Sequence, residues 1–250
     1  MGEFELSDKY FKVPHARKDV VMGPGDDCAL LTLPPDTQLA VSTDTLVSGV
    51  HFFPDMDPVD LGYKALAVNL SDLAAMGAEP RWVSLALTLP AVNEAWVAGF
   101  AEGFLELAEY YNVALVGGDM TRGPLSITVS VKGSVPAGRA LMRSGARVGD
   151  GIYVTGTLGD AALALSHLLG KRTLNENQLA AVLPRLDHPH PRILAGQALR
   201  GLAGSALDLS DGLASDLGHI LKASGVRAQI DLDLLPLSPV LQDAVNEQEA

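Results

Sequence analysis

The chain has 250 residues, of which 48% are hydrophobic and 19% charged, so it can bury a large core and is not predicted to be disordered. Its net charge of −12 argues against nucleic acids and anionic membranes as partners, because both are bound through Lys and Arg clusters, and no run approaches the ~18 apolar residues of a transmembrane helix. A single cysteine, Cys28, excludes an internal disulfide, and with an N-terminus that lacks a signal-peptide pattern it predicts a cytoplasmic protein.

Strands and helices alternate along the first half of the chain. Strands are predicted over residues 38–43, 82–89, 113–116 and 125–131, after a loop, turn and strand over 19–33. Helices are predicted to begin after Asp57 and Asn93, because a polar N-cap precedes an apolar repeat in both places. Apolar and polar residues alternate over 125–131, which predicts one buried and one exposed face.

A loop-rich, basic segment over residues 136–149 separates the two halves, so we predict an N-terminal domain over residues 1–138 and a C-terminal domain over 139–250. In the second half, strands are predicted over 151–155, 206–208 and 226–232, and helices after Gly159, at Pro191, after a Ser210-Asp211-Gly212 cap and after Ser238. Many glycines and prolines, with this alternation, predict an α/β fold. The last helix has no C-cap, so we expect the second domain to be truncated.

Acidic residues recur where predicted strands end. Asp26 and Asp27 follow a glycine turn, and Asp44 follows the strand that ends in Ser42 and Thr43. Asp119 follows a strand and two glycines, and Asp208 and Asp211 surround another strand-to-helix turn. In open α/β sheets ligands bind outside the carboxyl ends of the strands, so these acids are expected to converge there. Converging carboxylates repel one another unless a cation such as Mg²⁺ neutralises them. The alternative is that each aspartate only forms a turn or caps a helix.

Two further residues are candidates on local grounds. Asp72 lies inside an Ala- and Leu-rich helix, three residues after Asn69, where aspartate is unfavourable; this indicates a functional role, with a solvated helix face as the alternative. His51 precedes Phe52 and Phe53, and a neutral imidazole there suits contact with a ligand phosphate or ring. A buried structural histidine is the alternative reading for His51.

Other chemistries fit the sequence poorly. It contains no G-x-x-x-x-G-K-[ST] phosphate loop and no G-x-S-x-G nucleophile elbow, and its glycine turn over 156–159 is not G-x-G-x-x-G. His188 and His190 are two residues apart between prolines, so they are read as structural rather than as zinc ligands.

Several of these segments occur together, in order, in one known family. They are G-D-D-C-A (25–29), S-T-D-T-L-V-S-G-V-H-F (42–52), K-A-L-A-V-N-L-S-D-L-A-A-M-G-A (64–78), G-G-D (117–119), R-S-G-A-R-V-G-D (143–150) and D-L-S-D-G-L (208–213). On these motifs the chain resembles the thiamine-monophosphate kinase family, in the superfamily of aminoimidazole ribonucleotide synthetase and selenophosphate synthetase. Two of them, S-T-D…H-F and N-L-S-D-L-A-A-M-G, favour this member over its relatives.

The resemblance implies an enzyme that transfers the γ-phosphoryl group of ATP directly to thiamine monophosphate, giving thiamine diphosphate and ADP, as the last step of thiamine diphosphate biosynthesis. It implies several Mg²⁺ ions, held by Asp27, Ser42, Thr43, Asp44, Asp72, Asp119, Asp208 and Asp211. It implies ATP contacts by Gly118, Asp119, Arg143 and Ser210, and a substrate contact by His51. No general base is assigned, because the acceptor is already a phosphate oxygen.

The resemblance also implies a fold like that of aminoimidazole ribonucleotide synthetase: an N-terminal sheet domain that forms a homodimer, and a C-terminal α/β domain. The strand over 125–131 is a candidate for the dimer interface or a plain half-exposed strand. The family's G-G-E-D-Y-E-like segment does not occur in these 250 residues, and it is expected to help hold the thiamine. The alternatives are another ATP-dependent phosphotransferase or synthetase of the superfamily, or a non-catalytic domain that binds Mg²⁺ and a nucleotide.

Overall fold

The structure is a computed structural model that describes residue 5, residues 9–11 and residues 17–249, so most of the segment judged for a signal peptide lies outside it. The strands are β1 (Val20–Met22), β2 (Leu30–Leu31), β3 (Thr37–Val47), β4 (Glu79–Leu89), β5 (Ala114–Arg122) and β6 (Ser126–Pro136). The helices are α1 (Pro58–Ala75), α2 (Glu94–Tyr110), α3 (Asp160–Leu168), α4 (Glu176–Asp187), α5 (Ile193–Leu199), α6 (Leu213–Ser224) and α7 (Pro239–Glu249), with a 3₁₀ turn at Leu232–Leu234. No helix of the described residues is both long enough and apolar enough to cross a membrane.

Four strands form one mixed sheet in the order β3-β6-β4-β5. Strand β6 is antiparallel to both of its neighbours, whereas β4 and β5 are parallel. Helix α1 packs against the sheet and α2 against α1, and Leu85, Ile127 and Val129 are buried with them in the main core. We call this side the helix face. Because side chains alternate along a strand, every second residue points to the opposite side, the outer face.

The outer face is polar along its middle and apolar at one end. Ser84 lies opposite Ser130 and Trp82 lies opposite Lys132 in the β4–β6 ladder. At the Trp82 end, Val20, Ala29 and Leu31 from the β1–β2 hairpin pack on the indole, outside the main core. The hairpin therefore covers one end of the outer face.

The helices predicted after Asp57 and Asn93 are confirmed, and the reasons are local. The Asp57 carboxylate accepts a hydrogen bond from the Val59 N–H at 2.8 Å, and Pro58 stands at the first helical position. The Asn93 side chain caps α2 in the same way, through the Trp96 N–H at 3.2 Å. Helix α4, which the sequence reading missed, begins with an Asn175–Gln178 capping box.

The strands predicted over residues 151–155, 206–208 and 226–232 are wrong. These segments are irregular, apart from the 3₁₀ turn that begins at Leu232. A strand needs a neighbour that satisfies its N–H and C=O groups, and none of these segments is in a described ladder. Tyr153 is 91% exposed, so its segment does not face a core either.

The prediction that acids follow strand ends is also wrong for two strands. Strand β3 continues past Asp44 to Val47, and β5 continues past Asp119 to Arg122. Asp44 lies opposite Val129 of β6, and Asp119 lies opposite Ala86 of β4. The hydrogen bonds of the ladder extend both strands whatever the polarity of their side chains.

Candidate active site

The contact between strand β3 and helix α1 brings three of the predicted site residues together. The Ser42 hydroxyl donates a hydrogen bond to Asp72 Oδ2 at 2.5 Å. The backbone N–H of Asp44 donates to Asn69 Oδ1 at 3.2 Å. Asn69 is fully buried, and its amide group also donates to the Ala65 carbonyl oxygen at 2.9 Å. Asn69 thus fixes the strand that carries Asp44 against the helix that carries Asp72.

Asp208 and Arg143, from the second half of the chain, lie at the same place. Burial raises the pKa of Asp72 above its usual value, and the nearby charge of Asp44 adds to this, while the Ser42 hydrogen bond and Arg143 act against it. Burial also raises the pKa of Asp208, the charge of Asp72 adds to the rise, and Ser71 and Arg143 oppose it. Asp72 therefore interacts electrostatically with Asp44, Asp208 and Arg143, and Asp208 with Arg143; together with Ser42 we call these residues the acidic cluster.

Thr43 and Asp119 do not lie with this cluster. Thr43 is adjacent in a strand to Ser42 and Asp44, so it must point to the other face, where its hydroxyl donates to Ser130 Oγ at 2.9 Å. Asp119 lies opposite Ala86, which points away from the buried Leu85 on the helix face, so its carboxylate lies on the outer face too. Because side chains alternate along a strand, the sequence alone predicts that Thr43 points to the opposite face from Ser42 and Asp44.

Asp27 lies in the exposed loop between β1 and β2. Its backbone N–H donates to the Asp26 carboxylate at 2.8 Å. Among the described residues, neither Asp27 nor Asp26 contacts the acidic cluster through a hydrogen bond or ion pair. The structure therefore places these two residues beside the hairpin rather than in the cluster.

A loop precedes helix α6 and carries Ser210 and Asp211, both exposed. The helix begins directly after Ser210-Asp211-Gly212 as predicted, but the N-cap is Gly212, so neither Ser210 nor Asp211 caps the helix through its side chain. The Asp216 carboxylate instead accepts the backbone N–H groups of Ser210, Asp211 and Gly212 at 3.0, 3.1 and 3.1 Å. Asp216 is only 3% exposed and was missed from the sequence; an acid in the first turn of a helix that follows D-L-S-D-G is the signal that identifies it.

Backbone atoms of neighbouring residues fix the orientation of the His51 ring and require a glycine at position 118. His51 is exposed beyond the end of β3, and its Nδ1 accepts the Val47 N–H at 3.0 Å, so the neutral imidazole carries its proton on Nε2. A Cβ atom at Gly118 would lie 1.8 Å from the Leu85 carbonyl oxygen, so no other residue fits there without moving β4. His51 thus presents a hydrogen-bond donor, and Gly118 lets two strands approach closely.

The acidic cluster suits magnesium by its ligand type. Carboxylate and hydroxyl oxygens are the hard ligands that Mg²⁺ prefers, and Asp72 and Asp208 are half-buried acids whose charge a cation would stabilise. No group of three or more His, Cys, Asp or Glu side chains within the described ranges is arranged to hold a metal ion by itself. Oxygens of a bound phosphate group would complete such a site.

Both halves of the chain match the domain models of one known class of proteins. Residues 25–135 match the AIR synthase related protein, N-terminal domain, and residues 147–249 match the AIR synthase related protein, C-terminal domain. The protein is therefore an AIR synthase-related protein with both domains of that class. Two structures of the hydrogenase maturation protein HypE from E. coli, each 23% identical with a TM-score of 0.77, share this fold.

Relatives of higher sequence identity show which family of this class the chain belongs to. The thiamine-monophosphate kinase of Escherichia coli K12 is 58% identical over 251 residues, which cover 100% of this chain and 77% of that protein. The crystal structure of thiamine-monophosphate kinase from Stenotrophomonas maltophilia is 46% identical with a TM-score of 0.88, over 94% of this chain and 76% of that one. AaThiL complexed with AMPPCP and TMP is 32% identical with a TM-score of 0.80, over 98% and 76%. The chain belongs to the thiamine-monophosphate kinase family.

Proposed function

We propose that the protein transfers the γ-phosphoryl group of ATP to the phosphate of thiamine monophosphate, giving ADP and thiamine diphosphate. The family supports the reaction, because a relative binds AMPPCP and TMP together. The observation that carries the proposal is the acidic cluster, in which Asp72 accepts a hydrogen bond from Ser42 and interacts with Asp44, Asp208 and Arg143. Such a site fits phosphoryl transfer, where positioning and charge neutralisation supply most of the catalysis.

We propose these roles for the predicted residues. Asp44, Asp72, Asp208 and Ser42 hold Mg²⁺ from the cluster, and Asp27, Thr43, Asp119 and Asp211 do so from the surrounding segments. Bound Mg²⁺ neutralises the charge of the phosphates. Gly118, Asp119, Arg143 and Ser210 contact ATP, with Arg143 donating to phosphate oxygens.

His51 is proposed to contact thiamine monophosphate. Because its Nδ1 already accepts a backbone N–H, the ring offers Nε2–H to a phosphate oxygen. Among the described residues, nothing hydrogen-bonds to that nitrogen.

We further propose a cytoplasmic homodimer built on an N-terminal domain over residues 1–138, with a C-terminal domain over residues 139–250. Edge strand β3 exposes Leu39 and Val41, which are 48% and 56% accessible, and this suits a second copy of the chain. The single cysteine supports a reducing compartment.

The proposal is tested by incubating the protein with ATP, Mg²⁺ and thiamine monophosphate and measuring ADP and thiamine diphosphate together. Asp72→Ala is expected to lower turnover by at least about 100-fold, because a half-buried ligand of the phosphate-bound cation is lost. Asp55→Ala, at an exposed aspartate outside the cluster, is the matched control and keeps its activity.

An acceptor panel separates this reaction from its alternatives. Equal ADP release with unrelated phosphorylated acceptors would point to another member of the superfamily. Tight binding of Mg-ATP without ADP release would point to a domain that only binds nucleotide. Unchanged turnover in Asp72→Ala would contradict the role given to the acidic cluster.

A further inference from the structure

Arg143 lies in the segment between β6 and α3, which forms no helix and no strand of a sheet. The backbone groups of such a segment need hydrogen-bond partners from elsewhere in the fold. Just before Arg143, the Leu141 N–H donates to the Met76 carbonyl oxygen at 3.1 Å. The Met142 carbonyl oxygen accepts the Ala206 N–H at 2.9 Å. The chain is therefore fixed on the N-terminal side of Arg143 by backbone contacts alone.

The Ser224 side chain, at the C-terminal end of α6, holds the backbone from Arg143 onwards. Its hydroxyl oxygen accepts the N–H groups of Gly145 and Ala146 at 3.2 and 3.1 Å, and its O–H donates to the Arg143 carbonyl oxygen at 3.3 Å. No backbone group among the described residues bonds to these three atoms. A hydroxyl has one donor and two acceptor sites, so Ser224 uses all of its hydrogen-bonding capacity on this one turn.

The guanidinium of Arg143 depends on its backbone for its position. It lies near Asp72 and Asp208, close enough to lower the pKa of both carboxyl groups against the effect of burial. Arg143 is nevertheless an exposed residue, and no carboxylate in the described part of the chain forms an ion pair with it. A long side chain without a fixed partner is placed mainly by the main chain that carries it.

Helix α6 also holds the second loop that is proposed to contact ATP. In its first turn, the buried Asp216 carboxylate accepts the Ser210 N–H at 3.0 Å. Asp216 and Ser224 lie about two helical turns apart, which separates them by about 12 Å along the helix axis. The helix therefore fixes the backbones of Ser210 and Arg143 relative to each other.

We propose that Ser224 is a positioning residue for Arg143. By holding the backbone of residues 143–146, it places the guanidinium where it meets the phosphates of a bound Mg-nucleotide, while Ser224 itself does not contact the ligand. The inference rests on the proposed function, in which Arg143 contacts ATP. A turn that is ordered before binding strengthens affinity, because its conformational entropy is not lost when the nucleotide binds.

Hydrogen exchange without nucleotide tests whether Ser224 holds the turn. In Ser224→Ala, the backbone amides of Gly145 and Ala146 are expected to exchange at least about tenfold faster, because their acceptor is removed, while those of β6 keep their protection. Ser215→Ala, the same substitution at an exposed position of α6, is the matched control and changes neither rate. Unchanged exchange of Gly145 and Ala146 in Ser224→Ala would overturn the proposal.

A double-mutant cycle tests whether Ser224 acts through Arg143. With Mg²⁺ and AMPPCP as the probe, Ser224→Ala is expected to weaken binding about tenfold in the unsubstituted chain. In Arg143→Gln the same change should weaken binding less than about twofold, because the group that Ser224 positions is absent. Ser215→Ala has no effect in either background. Equal losses from Ser224→Ala in both backgrounds would indicate a general structural effect and would overturn the proposal.

A conservative variant provides a second readout. Ser224→Thr keeps the hydroxyl, so it is expected to retain the exchange rates of the turn and to bind Mg-AMPPCP within about threefold of the unsubstituted chain. If the alanine variant folds poorly, Ser224→Cys replaces it, because a thiol fills the same space and is a weaker hydrogen-bonding group. A loss in Ser224→Thr as large as that in the alanine or cysteine variant would contradict the role of the hydroxyl.

These outcomes are distinct from those that test the proposed reaction. A protein that binds Mg-AMPPCP but forms no thiamine diphosphate would overturn the reaction, and the cycle would still decide the role of Ser224. Normal turnover with equal losses in both backgrounds would overturn the role of Ser224 alone. An unsubstituted chain that does not bind Mg-AMPPCP would overturn both.

Discussion

At the scale of single residues, Asp19 joins the N-terminal segment to the sheet through two arginines. Its carboxylate accepts hydrogen bonds from Arg17 at 2.5 and 2.8 Å and from Arg81 at 2.8 Å. The hydrogen bond from Arg17 is the largest cause that lowers the pKa of Asp19 from 3.8 to about 2, and Arg81 adds to it. The bonds thus favour the ionised form in the folded protein.

Asp19→Asn is expected to lower the free energy of unfolding by about 1–2 kcal/mol at neutral pH. Because the folded-state pKa is the lower one, this contribution is complete above about pH 4 and disappears as the pH falls towards 2. Urea denaturation of both proteins between pH 3 and pH 7 measures the difference. Asp55→Asn, at an exposed aspartate, is the control. A difference that stays constant with pH would contradict the role of the Asp19 charge.

Asn69 shows how a buried amide group positions the acidic cluster. Asn69→Ala removes the acceptor of the Asp44 N–H, and it leaves a cavity between β3 and α1. The expected cost is about 1–3 kcal/mol of unfolding free energy, since a buried donor loses its partner. Asn177→Ala, at an exposed position of α4, should cost less than about 0.5 kcal/mol. Equal stability losses in the two variants, from urea denaturation, would show that Asn69 has no special role.

At the scale of helices and strands, the first half of the chain was more predictable than the second, for a physical reason. Helices α1 and α2 are signalled by their own caps, Asp57 and Asn93, which act within a few residues. A strand depends on a partner distant in sequence, so the apolar run over 151–155 could not show that it lacks one. For the same reason, the sequence did not show that β3 continues past Asp44. That continuation depends on the pairing of β3 with β6.

Helices α1 and α2 approach each other through glycines, which gives a prediction at this scale. A Cβ atom on Gly103 would lie 1.9 Å from the Val59 carbonyl oxygen, so Gly103→Ala must push the two helices apart. We expect a loss of more than about 2 kcal/mol of unfolding free energy, although alanine is the better helix former by about 1 kcal/mol.

Gly218→Ala is the matched control for this substitution. Gly218 lies inside α6, and a Cβ atom there would meet nothing within 4 Å. It should stabilise by about 0.5–1 kcal/mol, because only helix propensity changes. Thermal and urea unfolding of both variants would show opposite signs. A stabilising Gly103→Ala would mean that the helices are not in close contact.

At the scale of the whole molecule, the candidate site joins segments distant in sequence. Asp72 could be predicted, because an aspartate inside an apolar helix contradicts local propensity. Its contact with Ser42 could not be, since it depends on how α1 packs against β3, and its nearness to Asp208 and Arg143 depends on how the second half lies against α1. Asp216 was missed because it acts on a loop through its carboxylate rather than on a ligand. The acidic cluster is therefore positioned by two contacts, that of β3 with α1 and that of the second half with α1.

The contact of the second half with α1 includes a group of side chains at the start of α1. His188 Nε2 lies 2.7 Å from Asp60 Oδ1, and the His188 ring stacks on Tyr63 with centroids 4.5 Å apart. Beside them, Lys64 Nζ lies 3.8 Å from Asp187 Oδ1. Pro189 and Pro191 follow His188 and His190, so the connector is stiff, and it holds His188 against α1 although that side chain is still 42% exposed.

His188→Ala is expected to loosen this contact without unfolding the sheet. Backbone amides of the connector and of α5 should exchange with deuterium at least about threefold faster, while those of β6 keep their protection. His190→Ala, two residues away at an exposed position, is the control and leaves both rates unchanged. Because Asp72 and Asp208 come from the two sides of the contact, the affinity for Mg-ATP should also fall in His188→Ala. Faster exchange with an unchanged affinity would show that the acidic cluster is positioned by other contacts, chiefly those of α5 with α1.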